Sequence, residues 1–73
     1  MEHITLSNYL KQTRKQYHLT QVDVSQKSGV GLRFVREWEQ GKQSLRMDKV
    51  NQVLSLFGME LSPVPMDRNK LIV

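Results

Sequence analysis

The sequence predicts a mostly α-helical fold, a bundle of about four short helices followed by one short strand near the C-terminus. Three observations predict it. Apolar residues recur at helical spacing in two stretches, Leu6, Tyr9, Leu10, Thr13 and Tyr17 and then Val50, Val53, Leu54 and Phe57. Between them, residues 20–41 (TQVDVSQKSGVGLRFVREWEQG) read as a short helix, a glycine corner and a second short helix. After Gly58, residues 59–66 (MELSPVPM) hold too much proline for a helix but alternate well enough for a strand.

Taken in order, residues 1–5 form a flexible arm, with Thr5 at its end placed to cap the first helix. That helix runs from Leu6 to about Tyr17, with Lys11 and Lys15 on its solvated side. Leu19 precedes the next helix where an apolar residue staples the chain's entry. Thr20 is a good N-cap, because its hydroxyl can accept from a free N–H of the first turn. Asp23 sits in that turn, where negative charge suits the helix dipole. Gly29 ends the helix, and Val30 and Gly31 complete the corner.

The second helix of the corner runs from about Leu32 to Gln40 and closes at Gly41. At about 100° per residue, Phe34, Val35 and Trp38 share one side, and Arg33, Arg36, Glu37 and Gln40 share the other. One side anchors the helix to a core. The other carries donors suited to phosphates and base edges, arginine above all, which reads guanine through O6 and N7. An ordinary amphipathic helix with a solvated face would look similar. The capped helix and glycine turn before it favour a DNA-binding helix-turn-helix. The last helix starts near Arg46 or Met47 and reaches Phe57, where Gly58 stops it.

Arg14 and Glu39 each border an apolar face. A carboxylate leaning into a core needs a partner, since an unpaired buried charge costs several kcal/mol. Two independent surface charges are the alternative.

The run resembles the helix-turn-helix of the Cro and phage-repressor type, the Xre family. Thr20-Gln21, Gly29-Val30 and the run from Trp38 to Lys42 fall where such proteins carry their motifs. The following stretch, LRMDKVNQVLSLFGMEL, is similar to small HipB-type antitoxin regulators, in which a helix leads through a glycine into a short strand. The resemblance covers about residues 6–64 and implies a phage-repressor-like bundle over residues 6–58. It implies an Arg14–Glu39 ion pair of structural role. It also implies a dimerisation strand over 59–66, with Glu60, Leu61, Ser62, Pro63 and Val64 pairing across a homodimer. A lone strand in a helical chain needs such a partner in any case. The larger phage repressors continue with another helix instead. A HipA-like kinase toxin is the further partner that the antitoxin resemblance implies.

On this reading the chain is a repressor of a pseudo-palindromic double-stranded operator and the HipB-like autorepressor of a toxin–antitoxin operon, the alternatives being an interaction subunit whose main role is binding the HipA-like kinase or a stand-alone phage-type repressor. Arg33 and Arg36 would read base edges, with Gly31 and Leu32 at the helix entry. Gln21, Lys42 and Arg46 would contact phosphates. Gly31 would permit close backbone approach and Leu32 would touch a thymine methyl, although family members more often carry a polar side chain where Gly31 stands, which weakens a base-specifying role for Gly31 itself. Glu37 would accept from a cytosine amino group or orient Arg33, four residues earlier.

Composition narrows the alternatives. The 73 residues carry a net charge of +4. Nine Lys or Arg stand against four acids between Lys11 and Lys49, an excess of +5 that predicts an anionic partner. The five aromatics are spaced as core residues, unlike the stacking platforms of single-strand binders. There is no cysteine, no His–carboxylate cluster and no phosphate-binding glycine loop, so neither an enzyme nor a cofactor or metal site is expected. No apolar run is long enough for a membrane span and no basic leader is visible, so the expected location is cytoplasmic. A chain of this length buries a limited share of its surface, which makes dimerisation a natural supplement. Residues 67–73 stand open between a free tail and a segment that docks on a partner.

Overall fold

The computed structural model describes residues 5–65. The Thr5 hydroxyl accepts from the Asn8 N–H at 3.2 Å and starts α1, Leu6–Gln16. This helix ends in a motif that the sequence does not advertise. His18 takes the left-handed conformation (φ 58°) in the place where glycine is usual. The His18 N–H then donates to the Lys15 carbonyl and the Leu19 N–H to the Arg14 carbonyl. Leu19, which precedes α2, packs against the core that contains Val24.

Helix α2, Gln21–Ser28, begins in a reciprocal cap. The Thr20 hydroxyl accepts from the Asp23 N–H at 3.0 Å, and Asp23 Oδ2 accepts from the Thr20 N–H at 2.9 Å. Gly29 closes the helix with φ 82°, where a Cβ would also crowd Gln52 Nε2 at 3.1 Å. Two serines pin the corner. Ser25 Oγ donates to the Val30 carbonyl at 2.6 Å, and the Val30 N–H donates to Ser28 Oγ at 3.3 Å. Helix α3 follows over Leu32–Glu39 and α4 over Met47–Leu54, extended by a 3-10 turn at Ser55–Phe57.

The core is small and dominated by branched residues. Leu10 from α1, Val24 from α2, Val30 from the corner, Val35 and Trp38 from α3, and Val50, Val53 and Leu54 from α4 are all buried. Trp38 fills the largest share and satisfies its indole N–H on the Leu6 carbonyl at 3.0 Å. Tyr17 is half exposed but stacks on Phe57, with ring centroids 5.1 Å apart.

Arg14 and Glu39 meet inside this frame. Arg14 Nε donates to Glu39 Oε2 at 2.8 Å and Nη2 to Oε1 at 3.0 Å, a forked pair. Arg14 Nη1 donates to the Leu19 carbonyl at 3.0 Å, and Gln21 Nε2 donates to Glu39 Oε1 at 3.1 Å. The Glu39 side chain is 2% exposed, and among the described residues no buried side-chain polar atom lacks a partner. One carboxylate thereby ties the end of α1, the start of α2 and the end of α3.

The C-terminal segment differs from the sequence expectation. No strand forms among the described residues, and 59–65 carry no regular secondary structure. The physical reason is that a lone extended segment has no second strand within one helical chain to bond to. Leu61 instead packs on the core, its N–H donating to Asn51 Oδ1 at 2.7 Å. Residues 1–4 of the expected arm, Met66 at the end of the expected strand and the tail 67–73 lie outside the described residues.

Replacing Arg14 with alanine strands the Glu39 carboxylate with only the Gln21 amide. Arg14→Ala should cost about 3 kcal/mol, roughly 12–24 °C in melting temperature for a domain of this size. The double variant Arg14→Met/Glu39→Leu, apolar on both sides, should recover most of that loss in thermal unfolding. A single variant that melts with the wild type would remove the pair from the fold's support.

Candidate nucleic-acid interface

Helix α3 buries Val35, Trp38 and Glu39 and turns Arg33, Arg36 and Gln40 to solvent. The Arg33 side chain is 92% exposed, yet it is not unguided. Its Nε donates to Glu37 Oε1 at 3.1 Å, one helical turn along.

The end of α3 brings a second cation to the same carboxylate. Gly41 is left-handed (φ 93°), and the Gly41 N–H donates to the Trp38 carbonyl. The Lys42 N–H donates back to the Glu37 carbonyl at 3.1 Å. This reversal folds Lys42 over the last turn of α3. Lys42 Nζ then reaches Glu37 Oε2 at 2.6 Å. The Lys42 ammonium, with Arg33 second, holds the Glu37 carboxyl below its ordinary range.

A cleft opens between the entry of α3, the loop after it and the start of α4, lined by Gly31, Arg33, Glu37, Lys42, Arg46 and Lys49. Lys49 had no assigned role in the sequence, although it stands three residues after Arg46 and so one helical turn along the start of α4. In the structure its ammonium lies 5.8 Å from the centre of the Phe34 ring. Arg46 carries a forked contact to Asp48, at 2.7 and 3.1 Å, with both side chains exposed. That contact lowers the Asp48 carboxyl.

The remaining sequence candidates fall around this cleft. Leu32 is partly buried at the first position of α3, and Arg36 is exposed but does not line the cleft. Gly31 has ordinary backbone angles (φ −66°, ψ 149°), and a Cβ there would meet nothing within 4 Å. The fold therefore does not require glycine at this position. The Gln21 amide is committed to Glu39 through one N–H, at 3.1 Å. Glu60, Ser62, Pro63 and Val64 are exposed on the segment after Gly58, and Leu61 is turned inward.

A capped helix, a glycine corner and a second helix presenting arginines beside a basic cleft match a known pattern. A helix-turn-helix family model matches residues 10–64. The chain belongs to the helix-turn-helix family. A curated relative is the uncharacterized HTH-type transcriptional regulator y4mF of Sinorhizobium fredii (strain NBRC 101917 / NGR234). It is 38% identical over 58 residues, covering 78% of this chain and 76% of the relative. Family and relative together support a DNA-binding transcription regulator. No helix among the described residues of this helix-turn-helix chain is long and apolar enough to cross a membrane.

The depressed Glu37 carboxyl gives the cleft a pH dependence. Its ion pairs are present above the ordinary glutamate value of about 4.3 and are lost as pH falls through the lower folded value. Lys42→Ala should raise the Glu37 midpoint towards that ordinary value, read by NMR titration of the side-chain carboxyl. A midpoint that does not move would show that Lys42 leaves Glu37 in solution.

Proposed function

We propose that this chain is a sequence-specific repressor that binds double-stranded DNA as a homodimer in the cytoplasm, and that it is a binding protein without catalytic chemistry. Helix α3 is the recognition helix. The observation that carries the reading is the state of Arg33. Its guanidinium is almost fully exposed at the mouth of a basic cleft, braced through Nε alone. Its two terminal amino groups remain for a guanine edge. Arg36 reads a second position, and Leu32 packs against a thymine methyl. Gly31, which the fold does not need, keeps the entry of α3 clear for a close approach.

Lys42 and Arg46 contact phosphates, and Lys49 joins them from the same cleft. Gln21 adds a phosphate contact through the N–H that Glu39 leaves free. Two such domains would set their recognition helices in successive major grooves, about one helical turn apart.

The homodimer is proposed to form through residues 59–66, with Glu60, Leu61, Ser62, Pro63 and Val64 pairing as strands. What supports this is the exposed apolar surface of Met59 and Val64, on a segment that takes no helix. A second reading keeps the DNA site and adds a partner. The chain would be a HipB-like antitoxin and autorepressor that binds a HipA-like kinase toxin. The end of the last helix at left-handed Gly58 (φ 71°), with no helix over 59–65, favours it over a phage-type repressor with a further helix.

Selection from a pool of random duplexes, followed by binding across a salt series, tests the reading. Wild-type protein should enrich a pseudo-palindromic site. Arg33→Ala and Arg36→Ala should each cost about 1–3 kcal/mol on that site and relax one base pair. Lys42→Ala should weaken all duplexes alike and reduce the salt slope by about one unit. Equal affinity for enriched and random duplexes would sink the sequence-reading claim. The antitoxin reading expects a stable complex with a HipA-like kinase encoded beside the gene, and purified proteins that do not associate would reduce the chain to a plain repressor.

A further inference from the structure

An acid in a cleft meant for phosphates needs an explanation. Glu37 is the single acid among the residues lining the cleft, facing Arg33, Lys42, Arg46 and Lys49. Its carboxylate repels a polyanion, and a surface built for affinity alone would omit it. Glu37 also engages two cations at once, Arg33 Nε at 3.1 Å and Lys42 Nζ at 2.6 Å, while it stays 28% exposed. The arrangement is built in. Arg33 lies one turn away on the same face, and the left-handed Gly41 bonds the Lys42 backbone to the Glu37 carbonyl.

The Arg33 bond affects two kinds of duplex differently. A random duplex offers phosphates but no matching base edge. Swinging Arg33 away from the bases onto a phosphate breaks its Nε contact and leaves the Glu37 carboxylate facing the backbone. A matching site demands less. Arg33 can present both terminal amino groups to a guanine while Nε remains on Glu37. Lys42 has two further N–H donors for a phosphate while it stays on Glu37.

We propose that Glu37 is a positioning residue that sets the discrimination between cognate and random duplex DNA. It braces Arg33 for a base edge and withholds it from a purely phosphate-bound mode, while Lys42 meets a phosphate in either complex. The inference rests on the DNA-reading function above. Specificity is a difference of affinities, and Glu37 raises it by weakening the wrong complex as well as by shaping the right one.

The test uses a duplex that the wild type enriches from a random pool and a scrambled duplex of equal length. Binding is read by fluorescence anisotropy across a salt series. Glu37→Gln removes the charge and keeps an acceptor. It should tighten the scrambled duplex roughly three- to tenfold and steepen the salt slope by about one unit. Glu37→Ala removes the brace as well, and should flatten the preference at the Arg33 base pair by about fivefold or more. With Arg33→Ala already in place, Glu37→Ala should no longer alter base preference, an outcome that a general structural role in α3 would not produce. Variants that keep the wild-type ratio of enriched to scrambled affinity would overturn the inference. A wild type that enriches nothing would overturn the DNA-reading function itself and this inference with it.

Discussion

The Glu39 carboxylate is the constraint on which the rest of the molecule depends. It is buried and charged, so it has to be matched by fixed donors. Arg14 supplies a fork from α1 and Gln21 an amide from α2. The third corner of the Arg14 guanidinium goes to the Leu19 carbonyl, where α1 turns towards α2. Glu39 in turn holds the Arg14 guanidinium more firmly protonated. Three helix ends therefore have one arrangement that leaves no charge stranded. Apolar packing among Leu10, Val24, Val35 and Trp38 supplies the bulk of burial but is less selective about angle. The ion pair adds the geometric condition that aims the exposed face of α3.

Turn chemistry carries that order out to the surface. The corner between α2 and α3 depends on left-handed Gly29 and on the hydroxyls of Ser25 and Ser28. The end of α3 depends on left-handed Gly41, which brings Lys42 back over Glu37. These local devices decide where two cations sit, although neither cation touches the core. The surface of α3 is thus pre-organised from below by packing and from its end by a backbone turn. Pre-organised donors lose less freedom on binding, which is how a small interface gains affinity without added area.

Much of this was legible in the chain. The helices follow from apolar spacing, and Thr5, Thr20, Gly29 and Gly58 mark ends that the structure shares. Arg14 and Glu39 stand out because each is a charge at the border of an apolar stripe. The reciprocal cap between Thr20 and Asp23 was only half legible, since Asp23 reads equally as a dipole charge. The left-handed His18 was not legible, because histidine carries no strong preference for that conformation. Gly31 misleads in the opposite direction, since its backbone angles suit any residue.

What the sequence determined by itself is local: period, caps, turn residues and the concentration of positive charge, all set by a few neighbouring side chains. What only the tertiary structure decided is which distant groups share space. Lys49 joins the Arg33 cleft because the fold brings its ammonium over the Phe34 ring of α3. The Gln21 amide is spent on Glu39, eighteen residues away in sequence. Glu37 gains Lys42 as a second cation only once the chain has reversed at Gly41. Residues 59–65 alternate like a strand, yet a strand needs a neighbour to accept its hydrogen bonds. Within one chain, that neighbour is decided by topology and not by local preference.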